Sequence, residues 1–153
     1  MSAIRQKIDL ILSRTLIIIM GLMVINVLWQ VFSRYLSESP SSFTDELSRY
    51  LMIWVGILGA AYVSGKNQHV AIDYLPSKLK EKPRRRLEVL VHIIVLLFAL
   101  FALVIGGIRL VYISFTLGQT TPALGMPLAV IYLVIPLSGL LIIYYKLADL
   151  LKK

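Results

Sequence analysis

The fold is decided by residues 41–76, SSFTDELSRYLMIWVGILGAAYVSGKNQHVAIDYLP. The stretch opens with serines typical of a helix start, where Ser42 and Asp45 fit a capping box, and it closes on a polar segment. Between them, residues 50–65 form an uncharged run of only sixteen residues. Because a helix needs roughly 20 residues to cross a bilayer core, the charges before this run are predicted at the headgroup level or in a protein contact.

The composition excludes an ordinary soluble domain. Of the 153 residues, 58% are hydrophobic, and the net charge of +8 comes from basic residues that separate apolar stretches. This distribution argues against nucleic acid as a partner and favours anionic phospholipid headgroups. The chain has no cysteine, so disulfides, thiolate metal sites and cysteine nucleophiles are excluded.

Four membrane spans are predicted, at residues 15–35, 43–64, 87–113 and 126–146, within a single domain of residues 1–153. We therefore expect an all-α integral membrane protein with four transmembrane helices. Pro127 is predicted in the first turn of the last span, where proline is tolerated, and Pro136 is expected to kink that span.

The distribution of basic residues predicts the orientation. Thirteen of the sixteen lie in the N-terminal segment, the middle loop and the C-terminal segment. By the positive-inside rule, both termini and this basic middle loop are predicted to be cytoplasmic, with a short interfacial helix in the loop. The loop residues expected to contact lipid are Lys78, Lys80, Lys82, Arg84, Arg85 and Arg86.

Asp45, Glu46 and Arg49 form the most conspicuous polar cluster. Asp45 and Arg49 are four residues apart and Glu46 and Arg49 three, so one arginine can pair with either acid on a helix. Three interpretations stay open: a charge cluster solvated by headgroups, a docking point for a partner subunit, or a proton-relay carboxylate. The relay is the least favoured, because Glu46 lies near the end of its span.

Small residues also recur along the second span. Gly56, Ala60 and Ser64 are spaced by four residues, with Gly59 beside them, a pattern that lets another helix approach closely. We predict that this stripe packs inside the bundle, with the Gly106–Gly107 pair as its complement.

Enzymatic chemistry finds no support in the sequence. His69 and Asp73 would share a helix face, but two residues do not make a metal site. His92 stands alone in the third span, where a packing role is favoured over ligation. No phosphate-binding glycine loop, nucleophile elbow or carboxylate dyad is present. We expect no cofactor bound by this chain.

Two motifs resemble those of a known family. Glu46-Leu-Ser-Arg49-Tyr50, followed by Trp54, Gly59-Ala60 and His69-Val-Ala-Ile-Asp73, resembles the signature of the small membrane subunit (DctQ type) of TRAP transporters. The segment from Thr121 to Pro127, TPALGMP, with Pro136 beyond, is similar to that family's second motif. The motif positions in this second region are Pro122, Gly125, Pro127 and Pro136.

The resemblance implies a tripartite transporter in a bacterial inner membrane. A periplasmic binding protein would deliver an organic acid, such as sialic acid or a C4-dicarboxylate, to a large multi-span subunit that carries substrate and sodium. The small subunit would enlarge the static scaffold of the large one. The interface residues implied in this way are Asp45, Glu46, Arg49, Tyr50, Trp54, Gly59 and Ala60.

Two alternatives belong to other classes. A self-sufficient, homodimeric four-span transporter would use Glu46 as its coupling carboxylate and need no partner. A membrane anchor of a respiratory enzyme would need two histidines inside spans to hold haem, whereas His69 lies in the predicted loop.

Overall fold

The structure is a computed structural model that describes residues 3–37, 41–66 and 81–150. The first two helices are α1, Ala3–Ser37, and α2, Ser42–Lys66. The next helical stretch has three parts, namely α3, Glu81–Phe98, a π-helical segment, Ala99–Gly106, and α4, Gly107–Thr116. The last has two parts, α5, Leu128–Tyr132, and α6, Val134–Leu150.

Four of these helical stretches are long and apolar enough to cross a membrane: Ile4–Leu36, Ser42–Lys66, Pro83–Thr116 and Leu128–Leu150. The prediction of an all-α, four-helix membrane protein is confirmed. The helices extend beyond several of the predicted spans. α1 alone has 35 residues, which at 1.5 Å per residue make about 52 Å, more than the roughly 30 Å of a hydrocarbon core. Which side of the membrane the termini occupy stays a prediction.

The second and last spans form the centre of the bundle. One core cluster joins Leu12 and Ile19 of α1 to Leu58 of α2 and to Val134 and Tyr145 of the last span. A second cluster joins α2, the third span and the last span, with Ala61, Ala99 and Ile142 buried together. α1 and the third span therefore flank a central pair.

Glycines set the closest helix contacts. A Cβ added at Gly65 would lie 2.7 Å from the Tyr145 ring, and one at Gly107 would lie 2.9 Å from Cδ of Pro136. A Cβ at Gly139 would lie 2.8 Å from Cβ of Leu103, in the π-helical segment. These contacts need the absence of a side chain, because interior packing leaves no such space.

The small-residue stripe was assigned to the wrong face. A Cβ at Gly56 or Gly59 would meet nothing within 4 Å, and Ala60 is exposed. The face that packs inside the bundle instead carries Ala61, Ser64 and Gly65, so Ser64 alone was placed correctly. The Gly106–Gly107 complement is also corrected, since Gly107 packs against the last span and not against α2.

The last span is interrupted at Leu133, between α5 and α6. Pro136 has no N–H to donate to the carbonyl of Tyr132, one turn earlier, so the helix is irregular where the sequence predicted a kink. The prediction for Pro127 was wrong by one residue, because the helix begins at Leu128. Pro127 precedes α5 in an extended conformation with ψ of 125° and is not in the first turn.

The two ends of the bundle differ in character. At the terminal end, defined here by the start of α1 and the end of α6, Arg5 donates to both Asp149 and the carbonyl of Gly65. At the opposite end, the loop end, the start of α2 meets residues 117–127. The candidate site predicted from the sequence lies at the loop end.

Candidate functional site at the loop end

The start of α2 is capped by Ser41. The Ser41 hydroxyl accepts from the Thr44 N–H at 3.5 Å, and the Thr44 hydroxyl donates to the Ser41 carbonyl at 2.9 Å. The predicted capping box on Ser42 and Asp45 is therefore wrong by one residue, because Ser42 is already helical. This start fixes which way the acids of the first two turns point.

Glu46 is turned into the protein. It is 9% exposed, and its Oε2 accepts from the N–H groups of Ala123 at 2.7 Å and Leu124 at 2.9 Å. Its Oε1 accepts from the Tyr50 hydroxyl at 2.9 Å. Both carboxylate oxygens are thus used within the chain, and Glu46 joins the two sequence motifs to each other.

The loop that Glu46 holds is tightly built. Thr121 is 2% exposed, and its hydroxyl accepts from the Met126 N–H at 3.0 Å. Gly125 has φ of +64°, a conformation that side chains other than glycine's rarely adopt, which accounts for glycine at this motif position. Thr120 and Pro127 close the loop as an isolated antiparallel bridge. Pro122 is exposed next to the anchored N–H groups.

Asp45 and Arg49, in contrast to Glu46, are exposed at the surface. Arg49 donates to Asp45 at 3.0 Å, and their side chains are 66% and 56% exposed, respectively. Gln30 of α1 also donates to Asp45, at 3.3 Å. Arg49 therefore pairs with Asp45 and is not shared with Glu46, which the spacing had left open. An exposed pair of this kind contributes only about 0–1 kcal/mol by itself.

The other motif aromatics of α2 face inward. Tyr50 binds Glu46, and the Trp54 indole N–H donates to the carbonyl of Ile131 at 3.1 Å, joining α2 to the last span. The residues left on the open face of α2 are Asp45, Arg49, Met52, Gly56 and Ala60, with the half-buried Gly59 beside them. We call this set the open face of α2.

Polar side chains also join the first two spans. The Asn26 amide donates to the Thr44 carbonyl and to the Ser48 hydroxyl, both at 2.7 Å. Gln30 reaches Asp45 from the same side of α1. An amide inside a span needs such partners, because hydrocarbon offers none.

Several predicted residues fall elsewhere. His69, Asp73, Lys78 and Lys80 lie outside the described residues, as does the side chain of Lys82. Arg84, Arg85 and Arg86 were predicted in a loop, but they belong to the first turns of α3, which begins before Pro83. Proline within the first turn does not stop a helix, because the N–H groups there have no intrahelical partner.

A second polar cluster, at the terminal end, was missed. Arg5 pairs with Asp149 at 2.6 Å, where both side chains are nearly buried, and the Tyr145 hydroxyl donates to Asp9. Lys146 is 3% exposed and donates to the carbonyl of Ser64 at 3.4 Å. The four-residue spacing of Arg5 and Asp9 was visible in the sequence, but a contact across 144 residues was not.

Comparison with known proteins places the chain in a family. Residues 23–153 match the family described as "Tripartite ATP-independent periplasmic transporters, DctQ component". The chain belongs to this family. It is a component of a TRAP transporter in the bacterial inner membrane, which it crosses several times, and it is not an enzyme.

Three relatives illustrate the range of the similarity. A "Putative TRAP transporter small permease protein" of Haemophilus influenzae is 32% identical over 81% of this chain and 75% of its own length. The "C4-dicarboxylate TRAP transporter small permease protein DctQ" of Rhodobacter capsulatus is 32% identical over 67% of this chain and 44% of its own length. The "Sialic acid TRAP transporter permease protein SiaT" of Haemophilus influenzae is 34% identical over 52% of this chain, which corresponds to only 13% of that protein.

Proposed function

We propose that this chain is the small accessory subunit of a sodium-coupled TRAP transporter and packs on the large transport subunit as part of its static scaffold. The relative SiaT, a permease protein of which this chain matches only 13%, supports a close association between a small and a large part. In this proposal a periplasmic binding protein delivers an organic acid, either sialic acid or a C4-dicarboxylate, and the large subunit carries substrate and sodium.

The open face of α2 is the observation that carries the proposal. Its middle consists of Gly56, Gly59 and Ala60, which leave room for another helix backbone within the membrane. Its end carries the Asp45–Arg49 pair, whose exposed charges would fix the register of a partner. The middle of this face lies open, and its end is joined to α1 through the Gln30–Asp45 hydrogen bond, so a partner can cover the middle without disturbing the fold.

Glu46 gives little support to the homodimeric transporter considered from the sequence. A coupling carboxylate has to bind and release an ion or a proton during each cycle. Both oxygens of Glu46 instead accept hydrogen bonds that hold the loop end together. The geometry favours a structural role for Glu46 within an accessory subunit.

Co-purification with the large subunit tests the interface. Gly56→Leu and Ala60→Leu add side chains on the open face, where a Cβ at Gly56 meets none of the described residues within 4 Å and Ala60 is exposed. We expect each variant to be inserted normally but to lose the large subunit during affinity purification in mild detergent. Gly21→Leu is the matched control, because a Cβ at Gly21 also meets nothing within 4 Å but lies on α1. Retention of the large subunit by both open-face variants would contradict the proposal.

Transport measurements complete the test. Arg49→Ala should weaken both subunit association and uptake. Full uptake by an intact Arg49→Ala complex would show that the Asp45–Arg49 pair is not part of the interface. For the substrate, the complex should be reconstituted in proteoliposomes with its binding protein. Uptake of labelled sialic acid and of labelled succinate, with and without a sodium gradient, then decides the substrate class and the coupling ion.

A further inference from the structure

A groove runs along the first half of α3, on the surface of the bundle. Its volume is about 570 Å³. Two arginines, Arg85 and Arg86, line one end of the groove. The other described residues of the lining are apolar, namely Val89, Leu90, Ile93 and Ile94. A site that is cationic at one end and apolar along its length matches the two parts of a phospholipid.

The depth of the groove agrees with this match. Residues 89–108 carry no formal charge and, at 1.5 Å per residue, cover about 30 Å, the thickness of a hydrocarbon core. Arg85 and Arg86 lie within a turn of the edge of this stretch, at the level of lipid phosphates. This length places the four apolar residues at the depth of the acyl chains.

The charges of the groove select among lipids. Among the described residues that line it, two are cationic and none is acidic. Guanidinium groups bind phosphate oxygens through paired N–H donors. A zwitterionic headgroup would also bring an ammonium group, for which the described part of the lining offers no acidic partner. An anionic headgroup is therefore preferred.

We propose that the groove is a binding site for one anionic phospholipid, with its phosphate at Arg86, at the cationic end of the groove, and an acyl chain along the apolar residues of α3. The neighbouring Arg84 does not line the groove and donates to Glu88 at 3.0 Å, so it has no direct part in the site. The lipid site is independent of the proposed interface, because it lies on α3 and not on the open face of α2.

Native mass spectrometry of the purified full-length chain tests the site. The delipidated protein is titrated with phosphatidylglycerol and with phosphatidylcholine of the same acyl chains. We expect tighter binding of phosphatidylglycerol, weakened about fivefold by Arg86→Gln, as expected for one arginine near a lipid headgroup. Arg84→Gln is the matched control, since it removes the same charge from the same helix without touching the groove, and it should leave the affinity nearly unchanged.

Three results would overturn the site. Equal binding of the two lipids would show that the site does not distinguish an anionic headgroup from a zwitterionic one. Equal losses in Arg84→Gln and Arg86→Gln would show that only the general surface charge attracts lipid. Displacement of phosphatidylglycerol by an equal concentration of inorganic phosphate would show a phosphate site that does not need the acyl chain. None of these results involves the large subunit, so the proposed function is tested separately.

Discussion

The role inferred for Glu46 from the sequence differs from the role that the structure indicates. A carboxylate near the start of an apolar helix suggests a role in ion coupling, and Arg49, three residues later, suggests an ion pair. In the folded chain, Glu46 is held by two N–H groups of a loop 77 and 78 residues away and by Tyr50. Its charge is stabilised by backbone donors, as hydrogen bonds to a carboxylate are stronger than those between neutral groups.

Glu46→Gln and Glu46→Ala separate anchoring from coupling. The glutamine side chain keeps an oxygen that can accept from Ala123 and Leu124, so we expect a folded protein and substantial uptake by the complete transporter. Alanine leaves both N–H groups without their acceptor, which should cost about 1–3 kcal/mol of stability. Uptake and thermal unfolding in detergent provide the two readouts. Complete loss of uptake in a stable Glu46→Gln complex would instead indicate a coupling role.

The sequence predicts helices better than it predicts which face of each helix is buried. Length and hydropathy were sufficient for four spans, and Pro136 was sufficient for an irregular last span, because these depend on local chemistry. The prediction of which face of α2 is buried was wrong. In a membrane, apolar residues are used both on the lipid-exposed face of a helix and on its buried face, so hydropathy does not distinguish the two. In the folded chain, the burial of Ala61 and Gly65, with the Tyr145 ring against Gly65, shows that residues 61 and 65, and not 56 and 60, face inward.

At the scale of helix pairs, the same reasoning predicts opposite effects for two glycines. Gly139→Ala would place a methyl group 2.8 Å from Cβ of Leu103 and 3.2 Å from the backbone nitrogen of Val104, in the π-helical segment. Because neither atom is the end of a flexible chain, we expect a loss of about 1–3 kcal/mol. Gly56→Ala meets no atom within 4 Å and should be neutral or up to about 1 kcal/mol stabilising.

Titration of both purified variants with sodium dodecyl sulfate, followed by circular dichroism, measures the two free energies of unfolding. A Gly139→Ala variant as stable as Gly56→Ala would mean that the third and last spans can move apart at little cost. The π-helical segment would then not be held by its contact with α6.

At the scale of the whole molecule, contacts at the terminal end join the first, second and last spans. Arg5 joins the beginning of the chain to Asp149 near its end and to the carbonyl of Gly65 at the end of α2. Its guanidinium also lies 5.4 Å from the centre of the Tyr145 ring. Three of the four spans therefore meet at one side chain, while Glu46 joins α2 to the loop before the last span at the other end. Restraints at both ends would suit the static scaffold that we propose.

Removal of Arg5 should therefore destabilise the whole bundle, in contrast to removal of an exposed arginine. The Arg5 and Asp149 side chains are 8% and 10% exposed, so Arg5→Leu would leave a buried carboxylate without its cation, at a cost of about 3–5 kcal/mol. Arg49→Ala, which breaks the exposed pair with Asp45, should cost less than about 1 kcal/mol in the isolated chain.

The double variant Arg5→Leu/Asp149→Leu separates pairing from packing. When both members of the pair are replaced by apolar groups, neither leaves the other uncompensated, and part of the lost stability should return, although the buried Lys146 keeps its charge. The same detergent titration measures the free energy of unfolding of Arg5→Leu, Arg49→Ala and the double variant. If Arg5→Leu unfolds no earlier than Arg49→Ala, the terminal cluster does not hold the spans together, and rigidity in the assembled transporter would have to come from the large subunit.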